Sequence, residues 1–267
     1  MCGIIGYVGQ KEIIPILLNG LKHLEYRGYD SAGIAIEEDG ILKTFRKTGK
    51  ITGLDSLCQG HHGQSYRGIG HTRWATHGAP SEKNAHPHLD CQQRIAVVHN
   101  GIIENYRQLR KELEESGHQF SSDTDSEVIA HLLEGEGPPF ERIQKTVKRL
   151  QGSYALCILF LDEPNTLYGV RMFNPLIIGI GEGEHFLASD LPAFLDITRK
   201  AIFLEDGEIA RFTPPSWEVK DFSGKSKTTK TITSIPWDPL TAEKGGYKHF
   251  MLKEIHEQPQ ALEETIL

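Results

Sequence analysis

The chain opens with residues 1–9, Met1-Cys2-Gly3-Ile4-Ile5-Gly6-Tyr7-Val8-Gly9, an apolar run that ends just before the charged Lys11 and Glu12. Its β-branched and aromatic residues predict a strand over residues 2–8. The run is too short to span a membrane, and no basic stretch precedes it, so it does not resemble a signal peptide. Apolar residues at helical spacing then predict a helix over residues 11–24. The first element is therefore a strand that begins at a cysteine.

The pattern that follows groups strands and helices instead of alternating them strictly. Further strands are predicted at 32–36, 41–46, 67–72 and 94–99, and helices at 104–116, 125–134 and 140–150. After residue 150, short β-rich runs are predicted at 153–161, 166–170, 176–180, 185–188, 201–204 and 207–212, with a helical turn near 190–196. Thr124 and Glu127 have the spacing of a capping box. The fold class is therefore α+β, and two sheets covered by helices fit the pattern.

Composition restricts the functional classes. The 267 residues carry a net charge of −7 with no dominant basic patch, which argues against nucleic acid and anionic membranes as partners. No apolar run approaches the ~20 residues of a membrane span. The four cysteines do not form a C-x-x-C pair, so reduced thiols in the cytoplasm are the preferred interpretation.

Cys2 can act as a nucleophile that carries its own base. Removal of Met1 would leave a free α-amino group, with a pKa of ~7.7–8.0, beside the thiol. That amine can accept the thiol proton, directly or through one water, and later return a proton to the leaving group. The alternative is a structural cysteine in a buried strand, where free cysteines are common. If Met1 is retained, the base is an amide and this mechanism fails.

Seven segments, in this order, resemble the glutaminase half of the glutamine–fructose-6-phosphate amidotransferase (glucosamine-6-phosphate synthase) family, and they cover essentially the whole chain. They are Cys2-Gly3-Ile4, Leu24-Glu25-Tyr26-Arg27-Gly28-Tyr29-Asp30-Ser31-Ala32-Gly33, His71-Thr72-Arg73-Trp74-Ala75-Thr76-His77-Gly78, Asn84-Ala85-His86-Pro87-His88, His99-Asn100-Gly101-Ile102-Ile103-Glu104-Asn105, Thr124-Asp125-Ser126-Glu127-Val128-Ile129 and Lys253-Glu254-Ile255-His256-Glu257-Gln258-Pro259. The resemblance implies a four-layer αββα sandwich of the N-terminal nucleophile hydrolases. It also implies hydrolysis of L-glutamine through a γ-glutamyl thioester on Cys2, without a cofactor.

The resemblance also implies the residues that hold glutamine. Arg73 corresponds to the anchor of the α-carboxylate, for which a guanidinium offers a two-pronged donor. A surface ion pair is its alternative role. Asp125 corresponds to the partner of the α-ammonium, and as a first-turn carboxylate it would also suit a helix dipole. Thr76 and His77 correspond to further glutamine contacts, and Trp74 lies in the segment that closes over the substrate.

Asn100 and Gly101 correspond to the oxyanion hole, where the Asn amide and the Gly N–H stabilise the developing charge. An ordinary hairpin turn is the alternative, since Asn-Gly is the strongest short hairpin signal. Arg27, Gly28 and His86 are expected to support the pocket beside Cys2.

Two further features qualify the site. His86-Pro87-His88 and His61-His62 suggest metal binding, but no carboxylate or cysteine stands at a recognised ligand spacing, so no metal site is predicted. In Arg171-Met172-Phe173-Asn174-Pro175-Leu176, the family pattern has a small residue in place of Phe173 or Asn174. This difference puts the shape of that loop in question.

The predicted organisation is a glutamine amidotransferase domain over residues 1–244, with residues 245–267 as the start of a linker. The family's second half, which isomerises the sugar phosphate and receives the ammonia, is absent from this chain. The ammonia would serve fructose 6-phosphate in glucosamine-6-phosphate synthesis. Two other functions stay open: hydrolysis of another amide by the N-terminal cysteine, and a non-catalytic glutamine-binding module. A homo-oligomer is also left open.

Overall fold

A computed structural model describes residues 2–61, 63–227, 230–236 and 247–266. Met1, His62 and the expected domain boundary between residues 244 and 245 lie outside these ranges. The first sheet has the order β14-β11-β9-β10-β1-β4-β2-β3, and its neighbouring strands are antiparallel. Its strands are β1 (Gly3–Val8), β2 (Ser31–Glu38), β3 (Ile41–Thr48), β4 (Arg67–Arg73), β9 (Ile177–Ile180), β10 (His185–Ala188), β11 (Lys200–Phe203) and β14 (Thr233–Ser234).

The second sheet, also antiparallel, has the order β13-β12-β8-β7-β6-β5. Its strands are β5 (His88–Leu89), β6 (Ile95–Ile103), β7 (Gly152–Phe160), β8 (Leu167–Met172), β12 (Glu208–Thr213) and β13 (Ser216–Asp221). The helices are α1 (Ile13–His23), α2 (Ile51–Cys58), α3 (Tyr106–Glu115), α4 (Glu127–Leu132), α5 (Pro139–Val147) and α6 (Phe250–Ile266). Short 3₁₀ turns occur at Glu25–Arg27 and Leu191–Ala193.

The first strand, β1, explains the layering. It lies between β10 and β4, and all six of its residues are buried. Ile5 and Tyr7 belong to the apolar cluster under α1 and α2, whereas Ile4 and Val8 belong to the cluster between the sheets. Since strand side chains alternate between faces, each face of β1 packs on a different layer. A third cluster joins the second sheet to α3, α4 and α5. This is the expected four-layer αββα sandwich.

Several local predictions need correction. The sequence pattern does not predict α2, α6, β5, β13 or β14. The capping box is wrong, because α4 is preceded by Ser126 and shows no side-chain cap. Instead, the Glu127 carboxylate accepts hydrogen bonds from the backbone N–H groups of Ser121 and Ser122, at 2.8 and 2.7 Å. Glu127 therefore holds the chain that leads into α4 rather than closing a reciprocal box with Thr124.

Within the described ranges, none of the helices has the length and apolar character needed to cross a bilayer.

Candidate active site

Cys2 lies immediately before β1, at the end of the central strand of the first sheet. The next residue, Gly3, pairs with Thr72 of β4. A Cβ atom on Gly3 would come within 2.6 Å of the Thr72 hydroxyl oxygen and 2.9 Å of the Leu24 Cβ. A larger residue would push β1 away from β4, so glycine here allows Cys2 to lie close to the end of β4.

The Cys2 sulfur contacts the backbone that leaves β4. The Trp74 N–H donates to Sγ at 3.2 Å, and the thiol lies 3.6 Å from the Trp74 carbonyl oxygen. Burial raises the pKa of the Cys2 thiol, while the Trp74 N–H and the positive charge of Arg73 act in the opposite direction. Because burial dominates, the thiol is protonated at neutral pH, and its activation requires a base next to it.

Asn100 and Gly101 lie within β6, which crosses under Cys2. The Asn100 side-chain amide donates from Nδ2 to the Cys2 carbonyl oxygen at 3.2 Å. Its Oδ1 is 3.0 Å from Nε2 of His71. Since a ring N–H must donate to Oδ1, this contact fixes the amide with its N–H₂ group toward Cys2.

The hairpin interpretation of Asn100-Gly101 is wrong. Both residues belong to a nine-residue strand, and Gly101 pairs with Tyr154 of β7. Gly101 has a φ of 133°, and a Cβ there would approach the Ser153 carbonyl oxygen to 1.9 Å. The glycine is therefore required by its positive φ and by the close approach of the neighbouring strand β7, rather than by a turn.

Arg73 is the last residue of β4, one position beyond the predicted strand, and its side chain is 4% exposed. One terminal nitrogen, Nη2, donates to the carbonyl oxygens of His77 and Gly78. The other, Nη1, is buried without a hydrogen-bond partner and lies 3.9 Å from the Asp30 carboxylate. Arg73 thus shapes the segment from Trp74 to Gly78 and keeps one buried donor available.

Asp125 lies opposite, just before α4. Its Oδ2 accepts the Ile103 N–H at 2.8 Å, and its Oδ1 lies 3.7 Å from Nδ1 of His77. The carboxylate is almost fully buried, so its remaining oxygen is available only to a group inside the site. Arg73 and Asp125 both line one small hollow. The other lining residues are Cys2, Trp74, Thr76, His77, His86, His99, Gly101, Thr124 and Ser126.

This hollow has a volume of only about 10 Å³, too small for an amino acid. A second cavity of about 740 Å³ shares Cys2, Trp74, Thr76 and Gly101 with it, and extends toward Arg27 and Asn174. Trp74 and Thr76 line both spaces. A molecule that contacts both Arg73 and Asp125 needs more room than the small hollow offers.

Arg27, Gly28 and Asn174 border the site. Arg27 donates to the Ser189 hydroxyl at 3.3 Å and lies 3.8 Å from Asp190. Gly28 has a φ of 77°, and a Cβ there would come within 2.9 Å of the Trp74 ring. Asn174, in the loop whose shape the sequence left in question, donates from Nδ2 to the Asn100 carbonyl oxygen at 3.0 Å. This hydrogen bond joins the loop to the strand that carries Asn100.

A cluster of four buried histidines, His71, His86, His88 and His99, lies behind the site. Their rings are linked through His86, whose centroid is 4.1, 4.5 and 6.5 Å from those of the other three. Burial lowers the pKa of all four, to about 3 for His71 and His88. The cluster therefore remains neutral and packs beside the Arg73 charge without repelling it.

Two members of the site were not singled out from the sequence. Asp30 accepts the Ala75 N–H and donates its own N–H to the Arg73 carbonyl oxygen at 2.7 Å, so it holds both sides of Trp74. His71 orients Asn100. Both lie inside the motifs that carried the family resemblance, but only the tertiary contacts show what they hold.

Comparison with known proteins defines the class. Residues 71–196 match the family described as glutamine amidotransferase domain. Glutamine phosphoribosylpyrophosphate amidotransferase from B. subtilis has a similar structure, with a TM-score of 0.71 and 28% identity, over 84% of this chain and 50% of that one. A glutamine aminotransferase class-II domain protein from Silicibacter pomeroyi, 17% identical, shares the fold with a TM-score of 0.57, over 83% of this chain and 99% of that one. Residues 71–196 therefore match a glutamine amidotransferase domain, and the two-sheet fold is that of the N-terminal nucleophile amidotransferases of known structure.

Its curated relatives are more specific. Over its whole length the chain is 53% identical to glutamine–fructose-6-phosphate aminotransferase (isomerizing) of Aquifex aeolicus and 52% identical to the protein of the same name from Pyrococcus horikoshii. The chain spans about 45% of the length of each. The family resemblance drawn from the seven segments is confirmed.

Proposed function

We propose that this chain hydrolyses L-glutamine to L-glutamate and ammonia, with Cys2 as the nucleophile. The observation that carries the proposal is that three kinds of group lie around Cys2. Asn100 offers an amide donor, Arg73 a buried cationic donor, and Asp125 a buried carboxylate. A free α-amino acid with a side-chain amide needs all three.

The charged pair supports recognition of the amino-acid end. Nη1 of Arg73 can donate to the α-carboxylate, and Oδ1 of Asp125 can accept from the α-ammonium. A simple acyl amide lacks both charges and would leave both buried groups unpaired, which is costly. Thr76 and His77 line the same hollow and are assigned supporting contacts.

The reaction proceeds in balanced steps. Removal of Met1 frees the Cys2 amine, which takes the thiol proton as sulfur bonds to the amide carbon. The tetrahedral oxyanion accepts hydrogen bonds from the Asn100 amide and the Gly101 N–H. The amine returns its proton to nitrogen as the carbon–nitrogen bond breaks, which releases ammonia and leaves a thioester. Water, deprotonated by the amine, then cleaves the thioester to glutamate and regenerates the thiol.

The test measures ammonia release from L-glutamine alongside intact mass. Protein that has lost Met1 should turn over, and Cys2→Ala should abolish turnover while still binding glutamine, because the nucleophile acts mainly in the transition state. Turnover by Cys2→Ala, or by protein that retains Met1, would refute the mechanism. Cys58→Ser, which alters a buried thiol away from the site, is the matched control.

The two remaining alternatives are separated by substrate choice. Equal rates on γ-glutamyl amides, simple acyl amides and L-glutamine would favour a general amide hydrolase. Glutamine binding without turnover, in protein shown to lack Met1, would favour a non-catalytic module.

The wider role follows the relatives' name. We propose that the ammonia is destined for fructose 6-phosphate in glucosamine-6-phosphate synthesis, with a sugar-isomerase domain as the partner and residues 245–267 as the connection from the domain of residues 1–244. A homo-oligomer remains compatible with this role. The cysteines at 2, 58, 91 and 157 are all free thiols, which supports a reducing, cytoplasmic location.

A further inference from the structure

A second cluster of reactive side chains lies outside the active site, where three loops and helix ends meet. Cys91 comes from the turn between β5 and β6, and His118 from the loop after α3. His131 and Glu134 come from the C-terminal end of α4 and the residues just beyond it. One ligand atom from each lies within 4.8 Å of all the others. Sequence spacing gave no sign of this group, because its members are spread from residue 91 to residue 134.

The distances fit a tetrahedron. Cys91 Sγ is 3.8 Å from Nδ1 of His118 and 3.5 Å from Nδ1 of His131. The Glu134 Oε1 atom is 3.2 Å from the former nitrogen and 2.7 Å from the latter. Zinc bonds of about 2.0 Å to nitrogen and oxygen and about 2.3 Å to sulfur give tetrahedral edges of about 3.3–3.6 Å. Among these four edges, only the His131–Glu134 edge would have to lengthen noticeably.

The surroundings of the cluster match those of a metal site. The Gln119 N–H donates to Cys91 Sγ at 3.5 Å, a contact that would stabilise a thiolate. Nε2 of His131 is buried without a hydrogen-bond partner and lies 3.8 Å from the Glu127 carboxylate. A carboxylate behind a histidine keeps the proton on the outer nitrogen and presents the inner nitrogen as a neutral ligand. The His131 ring is therefore oriented to bind a cation through Nδ1.

We propose that Cys91, His118, His131 and Glu134 bind one Zn²⁺ ion. A mixed sulfur, nitrogen and oxygen set in tetrahedral arrangement suits zinc, whereas magnesium and calcium prefer all-oxygen sites. On binding, the Cys91 thiol loses its proton to solvent, and both histidines bind in the neutral form. Four protein ligands leave no open position, so the ion is structural and takes no part in the chemistry at Cys2.

The zinc would connect the β5–β6 turn and the loop after α3 to α4. That helix begins two residues after Asp125, and its first residue, Glu127, holds the backbone of Ser121 and Ser122. Binding of the ion should therefore stabilise the elements that carry the Asp125 side of the active site. We expect a larger effect on thermal stability than on turnover.

The test uses the full chain with Cys2→Ala, so that the terminal amine and thiol cannot chelate metal. After exposure to Zn²⁺ and exhaustive dialysis, elemental analysis should find about one zinc per chain. Cys91→Ser and His118→Gln should bind zinc at least about tenfold more weakly. His61→Gln is the matched control. His61 also contacts a carboxylate, that of Glu38 at 2.6 Å, but it does not belong to the proposed set of four ligands.

Co²⁺ provides a second readout. The parent should show the sulfur-to-cobalt charge-transfer band of a tetrahedral thiolate site, and Cys91→Ser should lack it. Far-UV circular dichroism establishes that each variant is folded, and both mutated side chains reach solvent, so folding should survive. Failure of the parent to retain zinc, or retention by Cys91→Ser equal to that of the parent, would overturn the proposal and leave only a hydrogen-bonded cluster.

Discussion

The two sides of the Cys2 sulfur are built in different ways. Asn100 and Gly101 lie inside β6, where the ladder to β7 and the buried His71 ring fix them. The opposite side consists of the segment Trp74–Gly78, whose Trp74 is 55% exposed, and of Asp125 before α4. One side is held by the sheet, and the other is held by a few hydrogen bonds to a loop.

This difference between the strand side and the loop side indicates which part of the site is preformed. Donors that stabilise an oxyanion are most effective when they need no reorganisation, which a central strand provides. Groups that enclose a substrate must open to admit it, and the charged hollow of about 10 Å³ requires such opening. The strand side should therefore control the rate of the chemical step, and the loop side should control binding.

The largest expected effect is acid destabilisation of the strand side. His71 and His88 have pKa values lowered to about 3 by burial, against about 6.5 in the unfolded chain. Below pH 6.5 the unfolded state binds more protons, so stability is complete above that pH and falls as pH decreases toward 3. Each such histidine lowers the free energy of unfolding by about 1.4 kcal/mol for every unit by which the pH falls within this window. Calorimetric melting from pH 7.5 to 4.5 measures the decline.

Two variants test whether His71 causes this loss of stability at low pH. His71→Asn, which can still donate to Asn100, should reduce the steepness of the pH dependence, and His23→Gln, at a partly exposed histidine outside the cluster, serves as the control. Equal pH dependence in the parent and His71→Asn would mean that His71 does not titrate on unfolding.

Asn100→Ala should have the next largest effect. It removes a preformed oxyanion donor, so kcat should fall by about 10²–10³ with little change in KM. Steady-state ammonia release measures both constants. Asn100→Asp keeps the acceptor for His71 and loses the N–H donor, and it should be equally slow. An Asp variant with normal kcat would show that the amide serves only to hold His71.

Arg73→Lys tests the loop side. Lysine keeps the charge and loses the two-pronged donor geometry, so KM for glutamine should rise by about tenfold to a hundredfold, more than kcat falls. Arg94→Lys, at a surface pair with Asp162, is the control and should change neither constant. A fall confined to kcat would place Arg73 in the chemical step instead of in binding.

His77→Asn should have the smallest effect. His77 is partly exposed, and its Nδ1 lies 3.7 Å from Asp125, beyond direct hydrogen-bond distance. Loss of such a contact should raise KM by less than about fivefold. A hundredfold loss would show that the loop side is as rigidly specified as the strand side, and the contrast between the two would disappear.

The sequence predicted most of the architecture because hydrophobic periodicity is clear in most of the long elements. It did not predict α2, where Gly53 and polar residues leave only Ile51, Leu54 and Cys58 buried. It also missed the two-residue strands β5 and β14, which are too short to show any period. Asn100-Gly101 illustrates the deeper limit, since the same dipeptide favours a hairpin and also permits the close approach of a neighbouring strand within a sheet.

The sequence by itself predicted the class of chemistry, because Cys2, Arg73, Asn100, Gly101 and Asp125 stand in segments that resemble those of the glutamine amidotransferases. Only the tertiary structure decided how those residues are held: His71 against Asn100, Asp30 on both sides of Trp74, and the histidine cluster beside Arg73. It alone brought Cys91, His118, His131 and Glu134 together. The physical reason is that periodicity and motifs are local along the chain, whereas burial and hydrogen bonding depend on which distant segments the two sheets bring into contact.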